Sequence, residues 1–245
     1  MFLTILLVLF VAGMTGGLAA LLLKRQAGKT SWLCLGGTFA GGAFIASAFF
    51  ELLPEAVCDL GWLKALLVGG GLILALRWLD RRAHHAHAEI HGHHPHGGSA
   101  SSSLVLGGML GLHSVLEGLA LGSIQSGAVQ QALAVAILMH KATDTFALAV
   151  TMGKQGASPA SMLGVTLLLS LATPAGAWLA SLADLSGAHL LHGALSAATA
   201  GTFLYLAYSD LLVPELKEKE GRFWKIVAAV AGFVLLAAVA SQHAH

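Results

Sequence analysis

The stretch LVLGGMLGLHSVLEGLALGS, residues 104–123, carries His113 and Glu117 within an otherwise apolar run. A second stretch, QALAVAILMHKATDTFALAVTM, residues 131–152, carries His140 and Asp144 in the same way. A spacing of four residues places both side chains of a pair on one face of a helix, about 6 Å apart along its axis. Ionisable groups inside membrane-spanning helices are costly and are read as functional, with partners sought nearby. The two pairs are therefore predicted to hold a divalent cation between two helices.

The composition around these stretches is that of a polytopic membrane protein. The chain has 245 residues, of which 56% are hydrophobic and 10% are charged. A soluble domain carries about 25% charged residues. The net charge of +1 predicts no nucleic-acid partner. The two cysteines, Cys34 and Cys58, form no CxxC metal-binding pair.

Eight membrane-spanning helices are predicted, in an all-α fold that forms one transmembrane domain over residues 1–245. Each predicted span holds about 20 residues, the length that a helix needs to cross the hydrocarbon core of a bilayer. The first is interpreted as a helix rather than a signal peptide, because no small-residue cleavage site follows it. The predicted bounds are 2–23, 33–53, 61–79, 104–124, 129–151, 159–182, 190–212 and 223–241.

The orientation in the membrane follows from the loop charges. Eleven of the 13 lysine and arginine residues fall in the loops of one side, and the other loops carry only Lys64. Cytoplasmic loops are the ones enriched in these residues. This predicts an integral protein of the cell membrane with both termini outside the cytoplasm and the loop after the third span inside. The short loops favour a bacterial inner membrane.

That cytoplasmic loop has the sequence RRAHHAHAEIHGHHPHGGSASSS, residues 81–103, and is predicted to be disordered. Seven imidazoles within 13 residues chelate first-row cations without requiring a fold. We expect weak metal binding in this loop but no single defined site. The histidines are His84, His85, His87, His91, His93, His94 and His96.

An internal repeat relates the second and seventh spans. AGGAFIASAFFELLPEA, residues 40–56, and TAGTFLYLAYSDLLVPEL, residues 199–216, both run from Ala-Gly to an acid, two leucines and Pro-Glu. Spans five apart cross the membrane in opposite senses, which predicts an inverted repeat with a 3+2+3 arrangement of helices. The fourth and fifth spans then lie on the pseudo-symmetry axis. Glu51 and Asp210, at corresponding positions, are candidates for gate or relay groups, or are plain helix-end charges.

The predicted depths of the two pairs agree. At about 1.5 Å per residue, His113 lies level with Asp144, and Glu117 with His140, near the middle of the bilayer. A set of two imidazoles and two carboxylates suits zinc and tolerates iron, manganese, cobalt, nickel or cadmium. Ser114 is a weak additional oxygen ligand or orients a water molecule. The cation is expected as a substrate, and no cofactor is predicted.

At these residues the sequence resembles the ZIP family of divalent metal transporters. HSVLEG, residues 113–118, is similar to the family's His-Asn-x-x-acid-Gly motif, and HKATD, residues 140–144, is similar to its His-Glu-x-x-His/Glu or His-Lys motif. The resemblance covers all eight spans. It implies a primary transport site formed by His113, Glu117, His140 and Asp144. It also implies uptake into the cytoplasm by alternating access, with spans 1, 4, 5 and 6 moving against spans 2, 3, 7 and 8, in a homodimer.

The sequence departs from the family at a second metal site. Members with two adjacent metals carry an asparagine, an acid and a glutamate at positions that read Ser114, Lys141 and Thr173 here. An ammonium group repels a nearby cation. The resemblance therefore implies one metal per site, with Lys141 in the place of the second. The usual proline inside these motifs is also absent, so the helix kinks that it causes are not predicted.

Three alternatives stay open beside a transporter of this kind. An intramembrane metalloprotease would need His-Glu-x-x-His, in which the glutamate is the general base, and Ser114 and Lys141 follow the two histidines instead. No enzyme is therefore predicted. A nickel or cobalt exporter would share the histidine-rich loop without requiring the matched pairs or the repeat. A structural or sensing membrane protein would bind metal without moving it.

Overall fold

The computed structural model describes residues 2–26, 31–90, 100–124, 127–182 and 189–241. These residues form eight continuous helical rods, α1–α8, and contain no β-strand. The rods comprise Phe2–Gln26 (α1); Ser31–Ser47, Ala48–Leu52 and Leu53–Leu60 (α2); Trp62–Ile90 (α3); Ala100–Ser123 (α4); Gly127–Lys154 (α5); Pro159–Leu182 (α6); His189–Leu206, Ala207–Leu212 and Val213–Lys217 (α7); and Arg222–Ser241 (α8). The prediction of an all-α fold is confirmed.

The outer surface of the bundle is apolar and its interior is partly polar. Leu3 and Leu63 are 79% and 72% exposed, whereas Lys141 and Asp144 are fully buried. Five of the rods, α1, α2, α5, α6 and α7, are long and apolar enough to cross a membrane. The prediction of an integral membrane protein is supported by these five. For α3, α4 and α8, and for the 3+2+3 arrangement, membrane crossing stays a prediction.

The third helix is longer than the sequence predicts. It continues to Ile90 instead of ending near residue 79. Residues 81–90 contain no glycine or proline, the two residues that most disfavour a helix. The backbone is therefore helical at His84, His85 and His87, where a disordered loop is predicted. Residues 91–99, with the other four histidines of the loop, lie outside the described residues.

Helices α2 and α7 widen into π-helical turns at corresponding places in the repeat. The turns are Ala48–Leu52 and Ala207–Leu212, and Pro54 and Pro214 follow them. Proline has no backbone N–H, so the carbonyl group four residues earlier loses its usual donor and the helix changes its pitch. Glu51 and Asp210 lie within these two turns. The repeat thus appears in the backbone as well as in the sequence.

The helices pack in two groups. The first group is α1, α4, α5 and α6, and the second is α2, α3, α7 and α8. The most extensive contact between the groups joins α2 to α5. Within the second group, Phe44 of α2 stacks on Phe203 of α7, with ring centroids 4.3 Å apart. Both phenylalanines are fully buried and precede the acid of their repeat by seven residues, so the two repeats meet through equivalent side chains.

Glycines bring helices within each group into backbone contact. A Cβ atom added to Gly122 of α4 would lie 2.2 Å from the carbonyl oxygen of Ala177 on α6. A Cβ atom on Gly42 of α2 would lie 1.8 Å from the carbonyl oxygen of Ala229 on α8. Small residues permit this close approach of helices in membranes. The position of α4, which carries half of the predicted ligands, therefore depends on glycine.

We expect Gly122→Val to lower the free energy of unfolding by about 1–3 kcal/mol, because α4 and α6 must separate to admit the side chain. The measurement is the thermal unfolding midpoint of the purified protein in detergent. Gly108→Val is the matched control, since an added Cβ on this glycine of the same helix meets nothing within 4 Å. Equal midpoints for the two variants would contradict the packing argument.

Candidate metal centre

Four ionisable side chains from α4 and α5 meet inside the bundle. Each offers one ligand atom within 4.8 Å of the others, and the residues are His113, Glu117, His140 and Asp144. Glu117 Oε1 is the point of convergence, 2.7 Å from His113 Nε2 and 2.5 Å from His140 Nε2. The two pairs thus meet as the four-residue spacing on each helix predicts. We call these residues the four-residue cluster.

Each histidine of the cluster is oriented by a partner from the second group of helices. His113 Nδ1 lies 2.9 Å from Thr199 Oγ1 on α7, and His140 Nδ1 lies 3.2 Å from Glu51 Oε2 on α2. An Nδ1–H that donates to a hydroxyl or a carboxylate leaves the Nε2 lone pair for a cation, the usual arrangement of metal-ligating histidines. Both Nε2 atoms face the same carboxylate oxygen. The cluster therefore brings possible ligand atoms together at one point.

Several polar atoms of the cluster are buried without a hydrogen-bond partner among the described residues. They are both carboxylate oxygens of Asp144 and Glu117 Oε2. Buried polar groups nearly always have partners, and unpaired buried charge is costly. A divalent cation would satisfy these atoms together. Zinc takes nitrogen and oxygen ligands at about 2.0–2.2 Å in a tetrahedron, which suits two imidazoles and two carboxylates.

Lys141 lies beside the cluster. Its side chain is fully buried, and Nζ donates a hydrogen bond to Ser114 Oγ at 2.6 Å. The hydroxyl of Ser114 is thus engaged by the lysine, and its role as a weak metal ligand stays a prediction. Thr173 on α6 is also buried, and its hydroxyl has no hydrogen-bond partner in the described part of the chain. The three positions of the second family site therefore offer an ammonium group and two hydroxyls.

The two acids of the repeat occupy different surroundings. Glu51 contacts His140 and lines the cavity that reaches the cluster. Asp210 is not among the described residues that line this cavity. A gate or relay role stays a prediction for both. The contact with Glu51 fixes the orientation of the His140 imidazole.

A cavity of about 270 Å³ leads to the cluster from one end of the bundle. Its inner part is lined by His113, Glu117 and His140, and its outer part by Glu55 and His192. The walls between them are largely apolar. Water and small ions can therefore approach the cluster from the end of the molecule where α2 finishes and α7 begins.

The opposite end of the bundle is closed by charged side chains. Glu215 of α7 is buried, with Oε1 2.5 Å from Lys154 Nζ of α5 and Oε2 3.1 Å from Lys225 Nζ of α8. Gly37 of α2 makes room for this arrangement, since a Cβ there would lie 2.7 Å from Lys154 Nζ. The Cys34 thiol, also buried, contacts Glu215. The Lys154–Glu215 ion pair joins the two groups of helices.

Sequence reasoning missed several of these residues. Thr199 and His192 carry no motif of their own that singles them out. Glu55 and Glu215 had a signal, because both follow the proline of the repeat. Glu55 and Glu215 thus occupy equivalent positions of the repeat at opposite ends of the molecule, and the two motifs alone predicted no role for either.

Comparison with known proteins agrees with this geometry. Residues 78–240 match the family described as ZIP Zinc transporter. Zinc transporter ZIP1 of Homo sapiens is 28% identical over an alignment that covers 87% of this chain and 79% of that protein. The Mus musculus ZIP1 is 30% identical, with 83% and 76% covered. The Danio rerio ZIP1 is 29% identical over 66% of this chain, which spans about half (53%) of that relative.

The family match extends over more than half of the chain and includes all four cluster residues. The mouse relative independently reaches 30% identity with most of both chains aligned. The resemblance stated from the two motifs is confirmed. The chain belongs to the ZIP zinc transporter family.

Proposed function

We propose that the chain carries zinc, or another divalent transition metal, into the cytoplasm by alternating access, one ion at a time. The observation that carries this proposal is the convergence of two imidazoles and two carboxylates from α4 and α5 at the end of a cavity. The relatives are named as zinc transporters, which supports zinc as the substrate. The metal is cargo, so its ligands must release it as well as bind it.

Membership of a transporter family agrees with the prediction that the chain is not an enzyme. The comparisons favour neither a metalloprotease nor a metal exporter. The chain lacks the general base that a metalloprotease needs, since Ser114 and Lys141 occupy the positions after the two histidines. A metal exporter would run in the opposite direction through the same kind of site, and the named relatives give it no support.

Charge balance favours a single ion. With Lys141 protonated, the three carboxylates of Glu51, Glu117 and Asp144 are balanced by the lysine and one divalent cation. A second divalent cation would leave two uncompensated positive charges in a buried site, where like charges repel strongly. The hydrogen bond from Lys141 to Ser114 holds the ammonium group close to the cluster. Lys141 thus acts as a built-in substitute for a second metal.

The division of roles between helix groups supports alternating access. The four ligands belong to α4 and α5 in the first group, while Thr199 and Glu51, which orient the histidines, belong to α7 and α2 in the second. Movement of one group against the other would exchange these orienting contacts. The ligand set would stay together while its partners change. Metal affinity would then depend on the relative position of the groups.

The cavity and the loop charges together support a conformation that is open to the outside, as uptake requires. The open end lies beside Glu55, and the closed end lies beside Glu215. The positive-inside rule assigns the Glu215 end to the cytoplasm. The conformation is then open to the outside, with both termini outside. The family resemblance adds a homodimer to the proposal, and the seven histidines of the cytoplasmic loop add weak metal binding.

Glu117→Gln and His140→Ala are each expected to reduce zinc uptake by reconstituted protein at least about 100-fold, because the loss of a ligand lowers metal affinity steeply. Uptake of radioactive zinc into proteoliposomes is the measurement. Glu220→Gln, which neutralises an exposed acid in the turn before α8, is the control and should retain uptake. Normal uptake by either cluster variant would refute the site.

Lys141→Glu is expected to add one bound ion per protomer, because it replaces the buried ammonium group by a carboxylate. Lys141→Met, which removes the charge and keeps the length, should add none, since it supplies no ligand. Ions are counted by equilibrium dialysis in a chain whose seven histidines between 84 and 96 are replaced by alanine. If Lys141→Glu binds no additional ion, Lys141 does not take the place of a second metal ion.

Glu215→Gln is expected to increase the rate at which a maleimide labels Cys34 by about tenfold, because a lost buried ion pair, worth on the order of 3 kcal/mol when broken, loosens the closed end. Cys34 is buried and Cys58 is exposed, so a Cys58→Ser background isolates the signal. Glu218→Gln, an exposed acid that contacts only Lys225 among the ion pairs described, is the matched control. Equal labelling in both variants would show that Glu215 does not close this end.

A further inference from the structure

A second group of metal-ligating side chains lies at the mouth of the cavity. His192 of α7 is held between two acids of α2, with Nδ1 2.7 Å from Asp59 Oδ2 and Nε2 3.2 Å from Glu55 Oε1. Ser196 Oγ donates a hydrogen bond to Glu55 Oε2 at 2.9 Å. We call Glu55, Asp59 and His192 the mouth triad. One imidazole and two carboxylates are a ligand set for divalent transition metals.

The mouth triad differs from the four-residue cluster in its exposure. The side chains of His192, Glu55 and Asp59 are 27%, 32% and 21% exposed, whereas those of His113 and His140 are 4% exposed. A hydrated ion can therefore reach the triad before it loses its water. Ligands that keep contact with solvent bind and release ions readily. The exposed mouth triad is therefore suited to capture a hydrated ion, and the buried four-residue cluster is suited to bind an ion that has lost its water.

The local sequence builds the triad on two rigid helices. Glu55 and Asp59 are four residues apart after Pro54, so both acids lie on one face of the last segment of α2. His192 and Ser196 are also four apart on α7. Gly193 lets α7 approach this segment, because a Cβ there would lie 2.5 Å from Asp59 Cβ and 2.9 Å from Leu60 Cγ. The spacing and the glycine together bring His192 between the acids.

The triad and the cluster share one cavity. Glu55, His192 and Ser196 line its outer part, and His113, Glu117 and His140 line its inner part. The apolar side chains of Leu133 and Ile137 line the space between them. A low-dielectric channel with negative charge at its mouth concentrates cations and raises their rate of association. With two acids against one imidazole, the mouth stays negative even when His192 carries a proton.

A purely structural role for the triad is the competing explanation. Helices α2 and α7 already pack through the buried side chains of Ala56 and Ala197, and ion pairs with this exposure contribute little to stability. All three residues belong to the same group of helices, so they hold no movable contact together. Stability therefore does not account for the convergence of three ionisable groups on this cavity.

We propose that Glu55, Asp59 and His192 form a capture site that takes a divalent transition-metal ion from the external solution and delivers it to the four-residue cluster. This inference rests on the proposed transport function and adds a step before binding at the cluster. Because the two ring nitrogens of His192 face different acids, the ion would be held loosely at one edge of the ring, by one nitrogen and one carboxylate, with water as its other ligands. It would then pass along the cavity to the tighter ligands of α4 and α5.

The test compares three substitutions at one position in proteoliposome uptake of zinc and cadmium. His192→Ala should raise KM about tenfold, while the maximal rate changes much less, because capture and not translocation is impaired. His192→Lys keeps a cation between the acids but repels metal, so it should be at least as impaired as alanine. His192→Cys supplies a soft ligand and should partly restore KM for cadmium relative to alanine. His189→Ala, three residues earlier on the same helix, is the control.

Zinc binding to the purified protein separates this inference from the proposed function. In the chain whose histidines between 84 and 96 are replaced by alanine, we expect two ions per protomer. His192→Ala and Glu117→Gln should each lose one. If Glu117→Gln abolishes uptake but His192→Ala leaves both KM and the ion count unchanged, the capture site is overturned and the transport site stands. If Glu117→Gln transports normally, the proposed function itself falls.

A structural role would give a different pattern. His192→Lys would then behave like the unsubstituted chain, since it preserves the pairing of a cation with Glu55 and Asp59, and only His192→Ala would lower the thermal unfolding midpoint. That result would overturn the capture site. Loss of uptake in His192→Lys with an unchanged midpoint would support it.

Discussion

The cost of burying ionisable groups governs this molecule. Glu117, Asp144 and Lys141 lie inside a helix bundle whose outer surface is apolar, and the desolvation of each charged group costs several kcal/mol unless partners replace the lost water. Lys141 has Ser114, and Glu117 has two imidazoles, but the carboxylate of Asp144 has no hydrogen-bond partner among the described residues. The protein alone therefore satisfies the cluster incompletely. Under the proposed function, a divalent cation would supply the partners that these carboxylates lack.

The cost of burying polar groups also explains why both groups of helices contribute residues around the four-residue cluster. The cluster residues of α4 and α5 alone would leave the Nδ1 atoms of both histidines buried without hydrogen-bond partners, and Thr199 of α7 and Glu51 of α2 supply those partners from the second group. The π-helical turn that contains Glu51 results from Pro54. A local defect in the backbone of α2 thus positions a carboxylate that orients a ligand on α5. Coupling between the groups is built into the hydrogen bonds of the site.

Much of the candidate metal centre could be predicted from the sequence because it depends on the spacing of residues along single helices. His113 with Glu117, and His140 with Asp144, need only helical periodicity to share a face, and matched depth brings the two faces together. The contacts of Thr199, Glu51 and His192 could not be predicted in this way, because they join segments that are 86 or more residues apart. Such pairings depend on how helices pack, and close packing here depends on glycines whose contacts no pattern reveals. The helical extension of α3 was missed because composition favoured disorder over a stretch that contains no helix-breaking residue.

The repeat makes Glu55 and Glu215 equivalent in sequence, yet the structure gives them opposite surroundings. Glu55 faces an open cavity and pairs with His192 from its own group of helices. Glu215 is buried and pairs with Lys154 from the other group. An ion pair that crosses between the groups must break when the groups separate at that end, whereas one within a group can persist through the movement. Under the proposed function, Glu55 could therefore hold a cation at the mouth throughout the movement, whereas Glu215 would stabilise only the state in which its own end is closed.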